Sequence, residues 1–500
     1  MTPEPSVPES KNRIGMVFAG LLVAMFLSAL DQTIFATALP TIVGELSGIV
    51  LMLWVTTGYL LAATVTMPIY GKLGDIIGRK GLFLAALVLF LVGSVIGGLA
   101  PNMVWLILAR VVQGVGGGGL LILSQAIIAD IVPVRDRAKY MGAMGAVFGL
   151  SSVVGPILGG WFTESIGWQW VFWINIPIGV IAIAIALFVL RLPKHDVTFR
   201  FDVWGTLTMA VAVTAIILVA SWGGVEYEWG SSLIVNLIIV AIVFTALFVW
   251  AEAKASDPII PLKVFKNRNF ILATIGGVFI NIAMFGVLSY LPTYLQMVTD
   301  ANATGSSLML TVMMAGLMCT ALTTGALSSK TGKYKWMPIA SMLVLAVGLW
   351  LMSTLTVDTA LWILLAYTFV FGAGIGFGMQ ILVVVVQNSF PDQEVGMATA
   401  SNNFFREIGA SLGGAFVGAQ FTSRLTSLFA ERMPDGAGIN TNALTPGLVK
   451  QLPETIQNAI VGAYNNALTP VFALIIPMMA AGLLAVVFIK EIPLRSDSER

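Results

Sequence analysis

The sequence predicts an all-α polytopic membrane protein, and three observations predict it. Of its 500 residues, 58% are hydrophobic. Only 10% are charged, against about a quarter in soluble domains. The apolar residues also fall into about fourteen runs long enough to cross a bilayer, separated by polar breaks.

The runs are taken in chain order. Six come first, near residues 14–39, 49–70, 81–100, 103–128, 140–162 and 170–190. Two follow, near 203–222 and 233–250. Six more close the chain, near 270–291, 306–328, 336–355, 361–386, 397–421 and 470–489. The first run is too long for a signal-peptide core and reads as a retained span. This gives a tail at 1–13, a six-helix half at 14–192, two inserted helices with their loops at 193–267, a second half at 268–490 and a tail at 491–500. The last outward loop, 422–469, is long and polar. Its 444–460 stretch is read as a short surface helix, limited by Pro446 and Pro453.

Lys and Arg fix the expected orientation. With the N-terminus inside, the cytoplasmic loops carry Lys72, Arg79 and Lys80; Arg135, Arg137 and Lys139; Arg191, Lys194 and Arg200; Lys254, Lys263, Lys266 and Arg268; and Lys330, Lys333 and Lys335. Outward loops before the last carry only acids, among them Glu45, Glu164, Glu226, Asp300 and Asp358. This bias places both termini in the cytoplasm. The inward loop near Pro391, with Asp392 and Glu394 and no base, is a local exception. Trp168, Trp170 and Trp173 are read as an outer aromatic belt.

Composition also excludes several classes of function. A net charge of +1 offers no field for nucleic acid. One cysteine, Cys319, and one histidine, His195, leave neither a disulfide framework nor an ordinary zinc site. The glycine run 116–119 has no strand before it and no Lys-Ser/Thr after it, so it reads as helix packing. The methionines at 309, 313, 314 and 318 likewise read as packing. No cofactor, metal, obligate protein partner or enzymatic chemistry is expected.

Against this apolar background a few charges stand out. Asp31 lies inside the first run and Arg110 inside the fourth. A charge at mid-bilayer costs several kcal/mol, which makes a functional role the default reading. Asp31 precedes Pro40, and Arg110 follows Pro101, by nine residues each. Nine residues of helix is roughly 13 Å, so the two charges are expected at similar depth, and in contact if spans one and four adjoin. The thirteenth run adds Asn402, Asn403, Arg406 and Glu407. Adjacent helical positions diverge, so Arg406 and Glu407 are not expected to pair. Gln32, Gln113, Asn402 and Asn403 are read as cavity lining.

An internal repeat is visible in the glycines. Gly71 and Gly78 recur as Gly325 and Gly332, and the same spacing carries Gly142 to Gly396, Gly155 to Gly409, and Gly159-Gly160 to Gly413-Gly414. Two six-span halves explain this, with spans seven and eight inserted between them. Transporters built from repeats place the substrate site at the midplane between the halves.

Four stretches resemble the major facilitator superfamily, and more closely its fourteen-span drug:proton antiporter group. They are the loop 71–80 (Gly71-Lys-Leu-Gly74-Asp75-Ile-Ile-Gly78-Arg79-Lys80); the fourth-span motif Arg110-Val-Val-Gln113-Gly114-Val-Gly116; the fifth-span motif with Gly149, Gly155, Pro156, Gly159 and Gly160; and the first-span signature around Asp31-Gln32-Thr33 and Leu39-Pro40. The resemblance implies a major facilitator fold and proton-coupled efflux of lipophilic cationic drugs or toxic compounds across the cytoplasmic membrane. Small molecules, protons and the lipid bilayer are then its partners. It makes Gly71, Gly74, Asp75, Gly78, Arg79 and Lys80 a conformational latch, the fifth-span motif a pliable antiporter helix, and Asp31, Arg110, Arg406 and Glu407 the groups that bind proton or substrate. Export of an endogenous metabolite by the same fold, and a non-transporting membrane sensor, are the alternatives.

Overall fold

The computed structural model describes residues 11–46, 51–190, 201–224, 226–299, 303–432, 449 and 453–494. Lipid offers backbone groups no partner, so a chain this apolar satisfies them within helices. The first half comprises α1 (Lys11–Glu45), α2 (Met52–Ile77), α3 (Arg79–Gly98), α4 (Met103–Ile131), α5 (Val134–Ser165), the single turn α6 (Trp170–Trp173) and α7 (Asn175–Val189). The insert is α8 (Val203–Trp222) and α9 (Ser232–Lys254). The second half comprises α10 (Arg268–Val298), α11 (Ala303–Thr331), α12 (Trp336–Ser353), α13 (Leu361–Gly378), α14 (Ile381–Gln387), α15 (Val395–Arg432) and α16 (Glu454–Val487).

Thirteen spans among the described residues are long and apolar enough to cross a membrane, with α6–α7 and α13–α14 each counting as one. The remaining span, α15, thirteenth in chain order, is more polar and carries Asn402, Asn403, Arg406 and Glu407. It nevertheless packs among α2, α4, α10 and α16. Helix starts are set by short polar side chains: Asn102 accepts from Trp105 N at 3.1 Å and Asp202 from Gly205 N at 2.8 Å. The inserted α8 leans on α2 and α15, with Trp222 edge-on to Trp54 at 5.3 Å. α9 packs on α8 and leaves most of its surface to lipid.

The glycine repeat becomes geometry at the end of the bundle carrying Lys72, Arg135 and Lys330, hereafter the basic end. Gly71 of α2 meets the Gly396 backbone and Ala400 of α15, and Gly325 of α11 meets Ala138 and Lys139 of α5, with Gly142 beside it. Repeat-mates thus exchange partners: α2 crosses α15 as α11 crosses α5. Gly78 and Gly332 end α2 and α11 at φ of 93° and 70°, a region that disfavours any side chain. A Cβ at Gly332 would touch nothing within 4 Å, so Gly332→Ala isolates the backbone penalty of about 1 kcal/mol. The expected result is a lower thermal midpoint of the purified protein with unchanged helix content.

Three expectations need correction. The outward loop is shorter than 422–469, because α15 continues to Arg432 and α16 starts at Glu454. The predicted surface helix is not separate where it is described, since 454–460 is the first part of α16; 444–448 and 450–452 lie outside the described residues, as do Arg191, Lys194, His195 and Arg200. Trp168 is not in an exposed belt: it is buried and donates Nε1–H to Glu45 at 2.8 Å. The twelfth span also carries a break at Met379 and Gln380, between α13 and α14.

Candidate functional site

Asp31 of α1 is fully buried and held by side chains of α4 and α7. Arg110 of α4 donates to Asp31 Oδ2 at 2.5 Å, while Gln113 Nε2 and Asn175 Nδ2 donate to Oδ1 at 3.0 and 2.8 Å. Ser94 of α3 accepts from the same two amides at 2.9 and 3.1 Å. The Arg110 guanidinium also lies 4.5 Å from the centre of the Phe35 ring and 4.4 Å from that of Tyr59. The depth match read from Pro40 and Pro101 therefore ends in a direct ion pair. A buried pair survives desolvation only when its remaining donors and acceptors are also served, which Gln113, Asn175 and the two rings largely do.

The central cavity lies on the other side of Tyr59. It is a cavity of about 110 Å³ lined by residues of both halves. Its first-half wall is mostly apolar and methionine-rich, with Met25, Met67 and Met144 beside Leu60 and Phe148. Ser28, Gln32 and Tyr59 add polar atoms there, and the Tyr59 hydroxyl sits 3.2 Å from Ser28 Oγ and 3.4 Å from Gln32 Nε2. The second-half wall is polar, with Asn281, Gln380, Asn403, Arg406 and Glu407. Of the four expected lining residues, Gln32 and Asn403 do line the cavity. Gln113 and Asn402 do not: Gln113 is consumed by Asp31, and Asn402 donates to Thr274 Oγ1 at 3.0 Å inside the second half. Arg406 and Glu407 form no ion pair with one another, as their adjacency led us to expect.

Below the cavity the halves are tied at the basic end. Asp75 accepts from Arg79 at 2.6 Å and, through Oδ2, from Met397 N at 2.7 Å. A carboxylate of the first half thereby satisfies the N-terminus of α15, where free N–H groups and the helix dipole favour negative charge. Arg79 also pairs with Asp130 and donates to Ala126 O at 2.5 Å. Asp75 corresponds by the repeat to Ser329, which donates to Asp136 in the first turn of α5 at 2.5 Å. Arg135 donates to Ser329 O and Lys330 O, and Arg137 reaches Asp392 at 3.4 Å. Gln125 joins both Gln387 and Asn403 at the cavity floor. Gly74 packs on Leu123 of its own half, and Lys80 binds Leu187 O at 2.9 Å, so it fastens α3 to α7 and not one half to the other.

In α5, Gly149 abuts Met318 of α11, while Gly155 and Gly159 abut Thr33, Ile34 and Thr37 of α1. A Cβ at Gly160 would meet nothing within 4 Å, and α5 continues through Pro156 to Ser165. Sequence reading missed Tyr59, Ser94, Asn175, Gln125, Asn281 and Gln380. A lone polar residue in an apolar run was the only signal available for them.

A bundle of two exchanged six-helix halves around a central cavity defines a secondary-transporter architecture. The Major Facilitator Superfamily model matches residues 21–202 and 192–414, and the chain belongs to this superfamily. It is 36% identical to Multidrug resistance protein 3 of Bacillus subtilis, covering 97% of this chain and 96% of that protein. It is 35% identical to the multidrug transporter protein MdtP of the same organism (96% and 93% covered). It is 39% identical to an uncharacterized MFS-type transporter of Mycobacterium tuberculosis (96% and 70% covered). Among solved structures it is similar to the proton:xylose symporter XylE, with a TM-score of 0.65 at 13% identity over 97% of this chain and 98% of that one. At that identity the likeness shows the fold alone. The protein is a multi-pass membrane transporter of the superfamily with multidrug-efflux relatives.

Proposed function

We propose that this protein is a proton-coupled antiporter that exports lipophilic cationic compounds by alternating access. One observation carries the reading: a sealed carboxylate, Asp31, lies one aromatic ring away from a methionine-lined cavity that contains a second carboxylate, Glu407. A buried acid can exchange a proton for a favourable neighbour, and methionine side chains adapt to varied apolar shapes. The names of the multidrug relatives support export of foreign compounds. The basic loops support a cytoplasmic membrane location with both termini and the basic end in the cytoplasm. In that orientation the ties around Asp75 close the cytoplasmic side and the cavity belongs to an outward-facing state. Asp31 then carries the proton and Glu407 holds the cationic substrate.

The test is export of a cationic dye panel from proteoliposomes, with and without an imposed pH gradient. Gradient-dependent dye movement is expected, and equal rates with and without the gradient would sink the coupling. Within the panel, Glu407→Gln is expected to slow dications at least about tenfold more than monocations, one lost charge contact being worth roughly that factor. A uniform loss across the panel would remove Glu407 from the substrate site.

A further inference from the structure

The two intramembrane arginines live in opposite circumstances. Arg110 is neutralised by Asp31 and covered by two rings. Arg406 is 3% exposed and has no carboxylate within ion-pair distance among the described residues. Its Nη1 reaches Asn403 Oδ1 at 3.4 Å, and its buried Nε has no hydrogen-bonding partner. The bundle makes room for this side chain: a Cβ at Gly277 of α10 would lie 2.8 Å from Arg406 Cδ and 3.3 Å from Nε. Two acceptors on the same wall, Gln380 Oε1 and Asn281 Oδ1, are also unpartnered.

An unpaired guanidinium out of water is costly, and a ligand carboxylate would offset that cost with a two-pronged contact. Glu407, one position along the helix and also at the cavity, brings no second cation with it. We propose that Arg406 is an anion subsite of the central cavity, so that the favoured cargo is a zwitterionic amphiphile. Its carboxylate docks on Arg406, its cationic group on Glu407 and the nearby amide oxygens, and its apolar body on the methionine wall. The proposal rests on the exporter reading above and deepens it from cations to compounds bearing both charges.

The probes are tetramethylrhodamine, which carries a carboxylate and a delocalised cation, and its methyl ester, which keeps only the cation. Binding to the purified full chain is read by fluorescence anisotropy, and export by proteoliposomes. Wild-type protein is expected to bind the zwitterion about tenfold more tightly than the ester, as for a charge-assisted contact. Arg406→Gln is expected to collapse that preference at least fivefold, by roughly the same reasoning, and Arg406→Lys to restore part of it. Equal weakening of both probes in Arg406→Gln, or no wild-type preference for the zwitterion, overturns the subsite. If the preference holds but neither probe moves in proteoliposomes, the exporter reading fails and the subsite stands. Export of both probes without preference leaves the exporter reading and removes the subsite.

Discussion

Asp31→Asn brings gradient-driven export down to the level of empty proteoliposomes. The amide keeps the shape of the carboxylate but can neither release a proton nor neutralise Arg110. Removing one partner of a buried pair leaves the other charge uncompensated, at about 3–5 kcal/mol, so the yield of folded protein also falls. The two effects separate in the double variant Asp31→Asn with Arg110→Gln. It removes both charges and is expected to regain folded yield without regaining coupling. Gradient-driven export by either variant at wild-type rate would end Asp31's role as proton carrier. Recovery of coupling in the double variant would show that only the bare Arg110 charge had been at fault.

Asp75→Ala opens the basic end. The substitution removes the acceptor for Met397 N at the start of α15 and one of the two carboxylates on Arg79. Loss of a helix cap costs about 1–2 kcal/mol, which tilts a two-state equilibrium by about tenfold or more. Met67 reports the change, because it sits at the seam where α2 and α4 meet Ala400 of α15. With Cys319→Ser as background, Met67→Cys should react with an impermeant maleimide from the basic side at least about ten times faster when Asp75 is Ala. An unchanged labelling rate would reduce Asp75 to a local helix cap. Because Lys80 ties only α3 to α7, Lys80→Ala should leave this rate unchanged.

The first-half charges were legible because depth is readable from a sequence. Asp31 and Arg110 each lie nine residues from a proline, Pro40 within α1 and Pro101 just before α4, and two charges at one depth on adjoining helices meet. Rotation about a helix axis is not readable in the same way. Gln113 is three residues from Arg110 and turns with it toward Asp31, whereas Asn402 turns into its own half and Asn403 into the cavity. Each residue step swings a side chain by about 100°, so depth without azimuth places half of such residues wrongly. Asn175 and Ser94 come from two further helices and carry no periodic signature. The break at Met379 and Gln380 has no proline to announce it. The 422–469 loop was misjudged because polar composition was read as irregular chain, while α15 and α16 continue as helices past their apolar parts. The glycine repeat was read only as a sign of two halves; that its members sit where α2 crosses α15 and α11 crosses α5 is visible only in the structure.

The Tyr59 ring has one face on Arg110 and its hydroxyl on the cavity side, beside Ser28 and Gln32. Tyr59 therefore stands between the ion pair and the cavity. An occupant that tilts the ring alters the surroundings of Arg110 and Asp31 without touching either. Under the proposed antiport, with Asp31 as the proton carrier, linkage works in both directions: any factor by which protonation changes affinity for the occupant is returned as the same factor in the opposite direction. Two ligands that never compete for the same oxygen can still displace one another, and the shape of the occupant need not matter so long as it reaches the ring. Breadth of cargo and strictness of coupling cease to be opposing demands on one set of atoms.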